Sequence, residues 1–228
     1  MNSDRNTPRY LGAAFLLQAA ASAASGLLLA PVDLIPASVP GDVAYTMTTI
    51  ANGAMGMRAS IVGEMITAIG VVMLGSLMYV VLKKQNEKIA LVALGLYLVE
   101  VALLGLREVL AYSLLRISQE SVLAGHPADL QTLGNLLYES QSFAYTLHTL
   151  FFALGATLFY SLFYKSGYIP RVLALWGLIA APLAFIGTLL ELFAISVPLV
   201  VFLPNLPFEL TMGVWLLVKG IREESEGG

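Results

Sequence analysis

Six apolar runs separated by polar breaks organise this chain, at residues 10–30, 59–82, 88–115, 142–164, 171–195 and 198–219. A helix rising about 1.5 Å per residue needs about 20 residues to cross a hydrocarbon core about 30 Å thick. Every run is long enough. The pattern predicts an all-α fold, a polytopic transmembrane helical bundle of six spans forming one integral membrane domain over residues 1–228. The first run, with Arg5 and Arg9 before it and small residues ahead of Pro31, imitates a signal peptide. It exceeds the usual apolar region of such a peptide, so it is read as the first membrane helix.

Two connections are long. In "PVDLIPASVPGDVAYTMTTIANGAMGMR" three prolines and Gly41 break the chain before an amphipathic segment over 41–58. In "RISQESVLAGHPADLQTLGNLLYESQ", Leu130, Leu133, Leu136 and Leu137 recur at helical spacing opposite Asp129, Gln131 and Asn135. That predicts a second amphipathic segment, 128–141, lying at the membrane surface or leading into the fourth span.

Basic residues orient the spans. Arg5, Arg9, Lys83, Lys84, Lys88, Lys165, Arg171, Lys219 and Arg222 fall on one side, with only Arg58 and Arg116 on the other. The positive-inside rule then puts both termini in the cytoplasm and both long connections outside, in the plasma membrane of a prokaryote.

Composition agrees with the pattern: 58% of the residues are hydrophobic and 12% charged, with a mean hydropathy of +0.81. Soluble domains are about 25% charged. The absence of cysteine removes disulfides and thiolate chemistry. A net charge of -3 without a clustered basic face gives no nucleic-acid footprint.

Ionisable groups at membrane depth are costly and therefore candidates for function. Here they are Glu64, Glu100, Arg107, Glu108, His148, Glu191 and Glu209. Counting residues from the span ends puts Glu191, Glu64 and His148 about 6–9 Å below the outer edge. The same arithmetic puts Arg107 and Glu108 about 11–12 Å down, Glu209 about 16 Å and Glu100 about 22 Å. Most thus share the outer half of the bilayer. Glu100, Arg107 and Glu108 project from one broad helical face, and Asn205 lies one turn before Glu209. Pro198, Pro204 and Pro207 predict a kinked or unwound stretch directly above Glu209. Broken helices at membrane depth mark binding sites in transporters.

Membrane lipid is the expected surroundings. The leading expectation is an outward-half polar pocket binding a small ligand, lipid headgroup or cation, as in a sensor or transporter. Its residues are Glu64, Glu100, Arg107, Glu108, His148, Glu191, Asn205 and Glu209. A second reading is an intramembrane metal-dependent enzyme such as a lipid hydrolase, with His148, Glu64 and Glu209 on a divalent metal, since imidazole and carboxylate suit zinc or iron. Neither H-E-x-x-H nor G-x-S-x-G occurs to support it. A third is a helper subunit of a membrane complex, its buried charges only fastening helices.

The stretches "TPRYLGAAFLLQA", "LKKQNEKIALVALGLYLVE", "LHTLFFALGATLFYSLFYKSGYIPRVLALWGLIAA" and "PFELTMGVWLLVKG" resemble domain-of-unknown-function family 4386, bacterial and archaeal six-span membrane proteins. The resemblance covers almost the whole chain. It implies family glutamates at Glu64, Glu100 and Glu209 and the family histidine at His148. Where the family pattern has an arginine in the third span this chain has Tyr97, so that arginine's role does not carry over. No activity comes with the resemblance.

Overall fold

Hydrocarbon forces every backbone N–H and C=O to pair within its own segment, which leaves long apolar runs the helix as their solution. The computed structural model describes residues 6–33 and 43–222. Among them it has seven α-helices and no strand. These are α1 (Thr7–Asp33), α2 (Val43–Asn52), α3 (Ala54–Leu82), α4 (Glu87–Leu123), α5 (Ala128–Ser166), α6 (Arg171–Leu192) and α7 (Asn205–Lys219). A short 3-10 turn, Leu199–Val201, precedes α7. Six segments are long and apolar enough to cross a membrane, in the order the hydrophobic pattern predicts. The chain is an all-helical, multi-pass membrane protein. Arg5 and the break at Pro36, Pro40 and Gly41 lie outside the described residues, while α1 continues through Pro31 to Asp33.

Four helices overrun their predicted spans, α4 and α5 by the most. α4 has 37 residues and α5 has 39, or about 55 and 58 Å of helix. A bilayer with its headgroups is about 40–45 Å thick, so both helices carry turns beyond the hydrocarbon. The segment 128–141 is therefore the first part of α5 and not a separate surface helix. Its leucine spacing runs on into the fourth span, and nothing in between breaks the helix.

The reversal between them takes only residues 124–127. Gly125 and His126 both have positive φ, 76° and 60°. They let the His126 N–H reach Ser121 O at 2.8 Å and the Gly125 N–H reach Val122 O at 3.3 Å, which closes a Schellman turn. The imidazole then meets Thr48 Oγ1 of α2 and Ser121 Oγ of α4, both at 3.3 Å. Gln131 of α5 donates to the His126 carbonyl at 2.6 Å. These contacts hold a backbone conformation that a β-carbon disfavours.

Burial follows helical stripes. On α4 the buried positions include Ala90, Ala93, Tyr97, Glu100, Leu104, Arg107, Glu108, Ala111 and Leu114. The three- and four-residue steps keep them on one face. The contacts divide into two compact units. The first comprises Met1–Ala19, Ala68–Ala102 and Thr146–Gly228, and the second Ala20–Thr67 and Leu103–Tyr145. The first has a core built on Phe15, Leu74, Met78, Phe159, Phe163 and Met212. The second has a smaller core of Leu29, Ile50, Met57, Ala111, Leu114 and Leu115.

Within the first unit α1 and α7 cross at glycines. A β-carbon on Gly12 would lie 2.7 Å from Gly213 O and from Leu217 N. Small residues at such crossings let two backbones approach, the usual basis of helix association in lipid.

α6 stops at Leu192, three residues before the end of the predicted span. The cause is a second Schellman turn, in which Ile195 N–H reaches Leu190 O at 3.0 Å and Ala194 N–H reaches Glu191 O at 2.9 Å. Ala194 carries the left-handed φ of 59°. The proline-rich stretch is broken as predicted, because α-helix begins again only at Asn205. Pro204 sits at the cap of α7 and Pro207 in its first turn, where an N–H has no intrahelical acceptor to lose.

Two predictions follow from these backbone features. Ala194→Gly removes the left-handed strain, so thermal unfolding in detergent should show a gain of about 0.5–1 kcal/mol. Gly12→Ala should cost about 1–3 kcal/mol by pushing α1 off α7. Gly105→Ala, where a β-carbon meets nothing within 4 Å, should be neutral or stabilising in the same assay.

Candidate functional site

Six of the eight sequence-predicted residues are organised in two sets, one in each unit. In the second unit Arg107 Nη1 lies 3.1 Å from Glu108 Oε1 and 3.7 Å from Glu64 Oε1. Its guanidinium stacks 4.8 Å from the centre of the Tyr145 ring. All three charged groups are buried. α4 places Arg107 and Glu108 side by side, and α3 brings Glu64 to them. One guanidinium faces two carboxyls, so the set lacks one positive charge if both are ionised.

In the first unit Glu100 on α4 and Glu209 on α7 are 2% and 7% exposed. Gln18 of α1 donates from Nε2 to Glu209 Oε2 at 2.9 Å. His148 of α5 approaches Glu100, its Nδ1 lying 3.9 Å from Oε1 and 3.4 Å from the backbone oxygen. No lysine or arginine pairs with either carboxyl among the described residues.

Tyr97 and Tyr160 complete this set. Each is 1% exposed. The two hydroxyls interact electrostatically with each other and with Glu100 and Glu209. The two hydroxyls form at most a loose hydrogen bond with each other, falling short of strict geometry, and Glu100 Oε2 has no partner. A buried polar group left unpaired costs about 1–3 kcal/mol, so poor pairing across one set calls for a reason beyond stability.

The remaining two predicted residues lie apart from these sets. Glu191 is exposed at the end of α6. Asn205 donates to Phe202 O at 3.2 Å and secures the turn entering α7. Sequence reasoning passed over the two tyrosine hydroxyls. Tyr97 had a signal, since it shares a helix face with Glu100 three residues on. Tyr160 had none, because a tyrosine near the end of a span reads as an interfacial anchor.

Metal ligation finds little support in this geometry. Among the described residues no three His, Cys, Asp or Glu side chains converge. Each member of the expected set is already engaged: Glu64 with Arg107, Glu209 with Gln18 and His148 with Glu100. A groove of about 890 Å³ in the first unit is lined mainly by apolar side chains such as Leu16, Leu17, Val72 and Met73, and holds none of the buried acids.

What these arrangements can do chemically is hold positive charge, since both present more carboxyl than cation. No curated protein and no solved structure matches the chain. A family model does, described as a domain of unknown function (DUF4386), over residues 10–220. Nearly the whole length is matched, and the chain is a member of the DUF4386 family of membrane proteins.

Proposed function

We propose that this protein binds a small cation at Glu100 and Glu209, and that it sits in the plasma membrane of a prokaryote with both termini cytoplasmic. The orientation rests on the basic residues at one set of span ends. One observation carries the binding reading: among the described residues two carboxyls are buried without a lysine or arginine partner, and Glu100 Oε2 has no hydrogen-bond partner. A carboxylate at membrane depth requires a positive charge close by. His148 can supply one when protonated, and a bound cation or proton supplies the other.

Of the ligands considered from sequence, a cation suits these oxygens best. A lipid headgroup or an organic molecule would need open volume, and the tyrosines are tightly packed. The broken entry to α7 favours a carrier, since such breaks accompany substrate sites in transporters. Glu209 lies one turn into that helix.

The second unit supports a different role for its own set. Arg107 pairs with both Glu64 and Glu108 and stacks on Tyr145, which fastens α3, α4 and α5 within that unit. This is the helix-fastening reading confined to one place.

Thermal melts of the protein in nanodiscs test the binding reading, with H+, Na+ and K+ varied in turn against choline. Saturation at about 100 times Kd adds about 2.7 kcal/mol. The wild type should respond to one of these cations, and Glu100→Gln/Glu209→Gln should lose the response. Insensitivity of the wild type to all of them would falsify it. For the second unit, Arg107→Leu should cost about 3–5 kcal/mol by stranding two buried acids. Adding Glu64→Gln and Glu108→Gln should restore most of the loss in the same melts.

A further inference from the structure

The apolar groove of the first unit lies at the end where α1 begins and α7 finishes. It encloses about 890 Å³ between α1, α3 and α7, against Tyr10, Ala13, Leu17, Val72, Ser76 and Leu217. That volume falls within the range of about 300–1,000 Å³ usual for ligand sites. Side-chain size along the two longer helices creates it. Deeper in the unit α1 and α3 touch, since a β-carbon on Gly70 would lie 2.9 Å from Gln18 Cβ. Nearer the helix ends α1 presents Ala13 and Ala14 between Tyr10 and Leu17, and α3 presents Ser76 beside Leu77. Small side chains in the middle leave a hollow that larger ones border. Tyr10, Ala13, Leu17, Val72, Met73 and Ser76 are all exposed, so the hollow opens sideways. In a bilayer such an opening faces acyl chains.

Charge at the surface end narrows the choice of lipid. Arg9 precedes Ala13 by four residues and Leu16 by seven, which places it on the groove face of α1. Lys83 follows Ser76 by seven residues, as Lys84 follows Leu77. The Lys83 N–H still reaches Tyr79 O at 2.9 Å in the helical manner, so both lysines continue the groove face of α3. Counted at ~1.5 Å per residue from the Gln18–Gly70 crossing, Arg9 lies about 14 Å and the lysines about 20 Å toward the same membrane surface. None of the three forms an ion pair among the described residues. Lys83 Nζ lies 5.8 Å from the centre of the Tyr79 ring. The described acid at this end, Glu87, accepts from the Tyr79 hydroxyl at 3.3 Å. In the sequence the basic residues of this end outnumber its acids, Asp4, Glu87, Glu223, Glu224 and Glu226.

We propose that the groove seats one anionic phospholipid, its acyl chain along Ala13, Ala14 and Ser76 and its phosphate between Arg9 and the Lys83–Lys84 pair. The apolar wall holds the chain by packing contacts. The cations select the headgroup, as basic pockets between spans do at a membrane surface. A guanidinium adds a fork of donors matched to phosphate oxygens. The site is separate from Glu100 and Glu209, and its failure would leave the cation reading untouched.

Native mass spectrometry of the full-length protein tests the proposal. Nanodiscs contain equal parts of phosphatidylglycerol and phosphatidylcholine with identical acyl chains, and the protein is then transferred to detergent. The wild type should keep one lipid per chain and favour phosphatidylglycerol by at least about ten-fold. Arg9→Gln/Lys83→Gln/Lys84→Gln should keep a lipid but lose the preference. Ala13→Leu/Ser76→Leu fills the hollow from exposed positions and should cut retention of both lipids at least about ten-fold. Ala20→Leu, exposed on α1 beyond the groove, should behave as the wild type. Equal retention of the two lipids by the wild type would overturn the proposal. A preference that survives Arg9→Gln/Lys83→Gln/Lys84→Gln would do the same, as would undiminished retention in Ala13→Leu/Ser76→Leu. A lipid-free dimer would assign the groove to a second copy of the chain and overturn it as well.

Discussion

A carboxylate in hydrocarbon has to be balanced by positive charge within a few ångströms, and the buried side chains here supply too little of it. Among the described residues four glutamates, Glu64, Glu100, Glu108 and Glu209, are buried in segments long and apolar enough to span a membrane, against one buried arginine. Transfer of a charge to the centre of a bilayer costs at least about 2.5–3.5 kcal/mol on the lowest scales. That cost explains why Arg107 draws two acids to itself. It also sets the question for Glu100 and Glu209, which among the described residues meet Gln18 and His148 but no lysine or arginine.

The rest of the fold bears on that balance through packing. Glycines bring elements of the first unit close together: Gly12 and Gly213 where α1 meets α7, and Gly75, Gly155 and Gly177 against the rings of Tyr97 and Tyr160. At the end of the sixth span, Pro198, Pro204 and Pro207 delay the helix until Asn205, so Glu209 enters the first unit on a helix of only 15 residues. Glu209 on that short helix meets no lysine or arginine among the described residues.

Much of this was legible in the residues. Six apolar runs named the six spans, and the proline triplet named the break. The full length of α4 and α5 was harder to see, because polar side chains beyond residue 115 mark exposure without marking a helix end. The real reversal lies at Gly125 and His126, where positive φ and not polarity turns the chain. The acids were found as individuals, since each stands out in an apolar run. Arg107 and His148 were found with them, but the pairing of Gln18 with Glu209 was not, because a contact between α1 and α7, 191 residues apart, leaves no local pattern. Counting depth along each span suggested one shared site, and the contacts within each unit show one set of residues in each.

The central claim is that Glu100 and Glu209 are neutralised without a lysine or arginine, at least one of them by a bound cation or proton. Neutron diffraction from crystals of the deuterium-exchanged protein addresses it directly, because deuterons scatter strongly enough to be located. The account predicts deuteron density on a carboxyl oxygen of Glu100 or Glu209, or a cation beside one of them. Two bare carboxylates, with neither a deuteron nor a cation beside them, would contradict it.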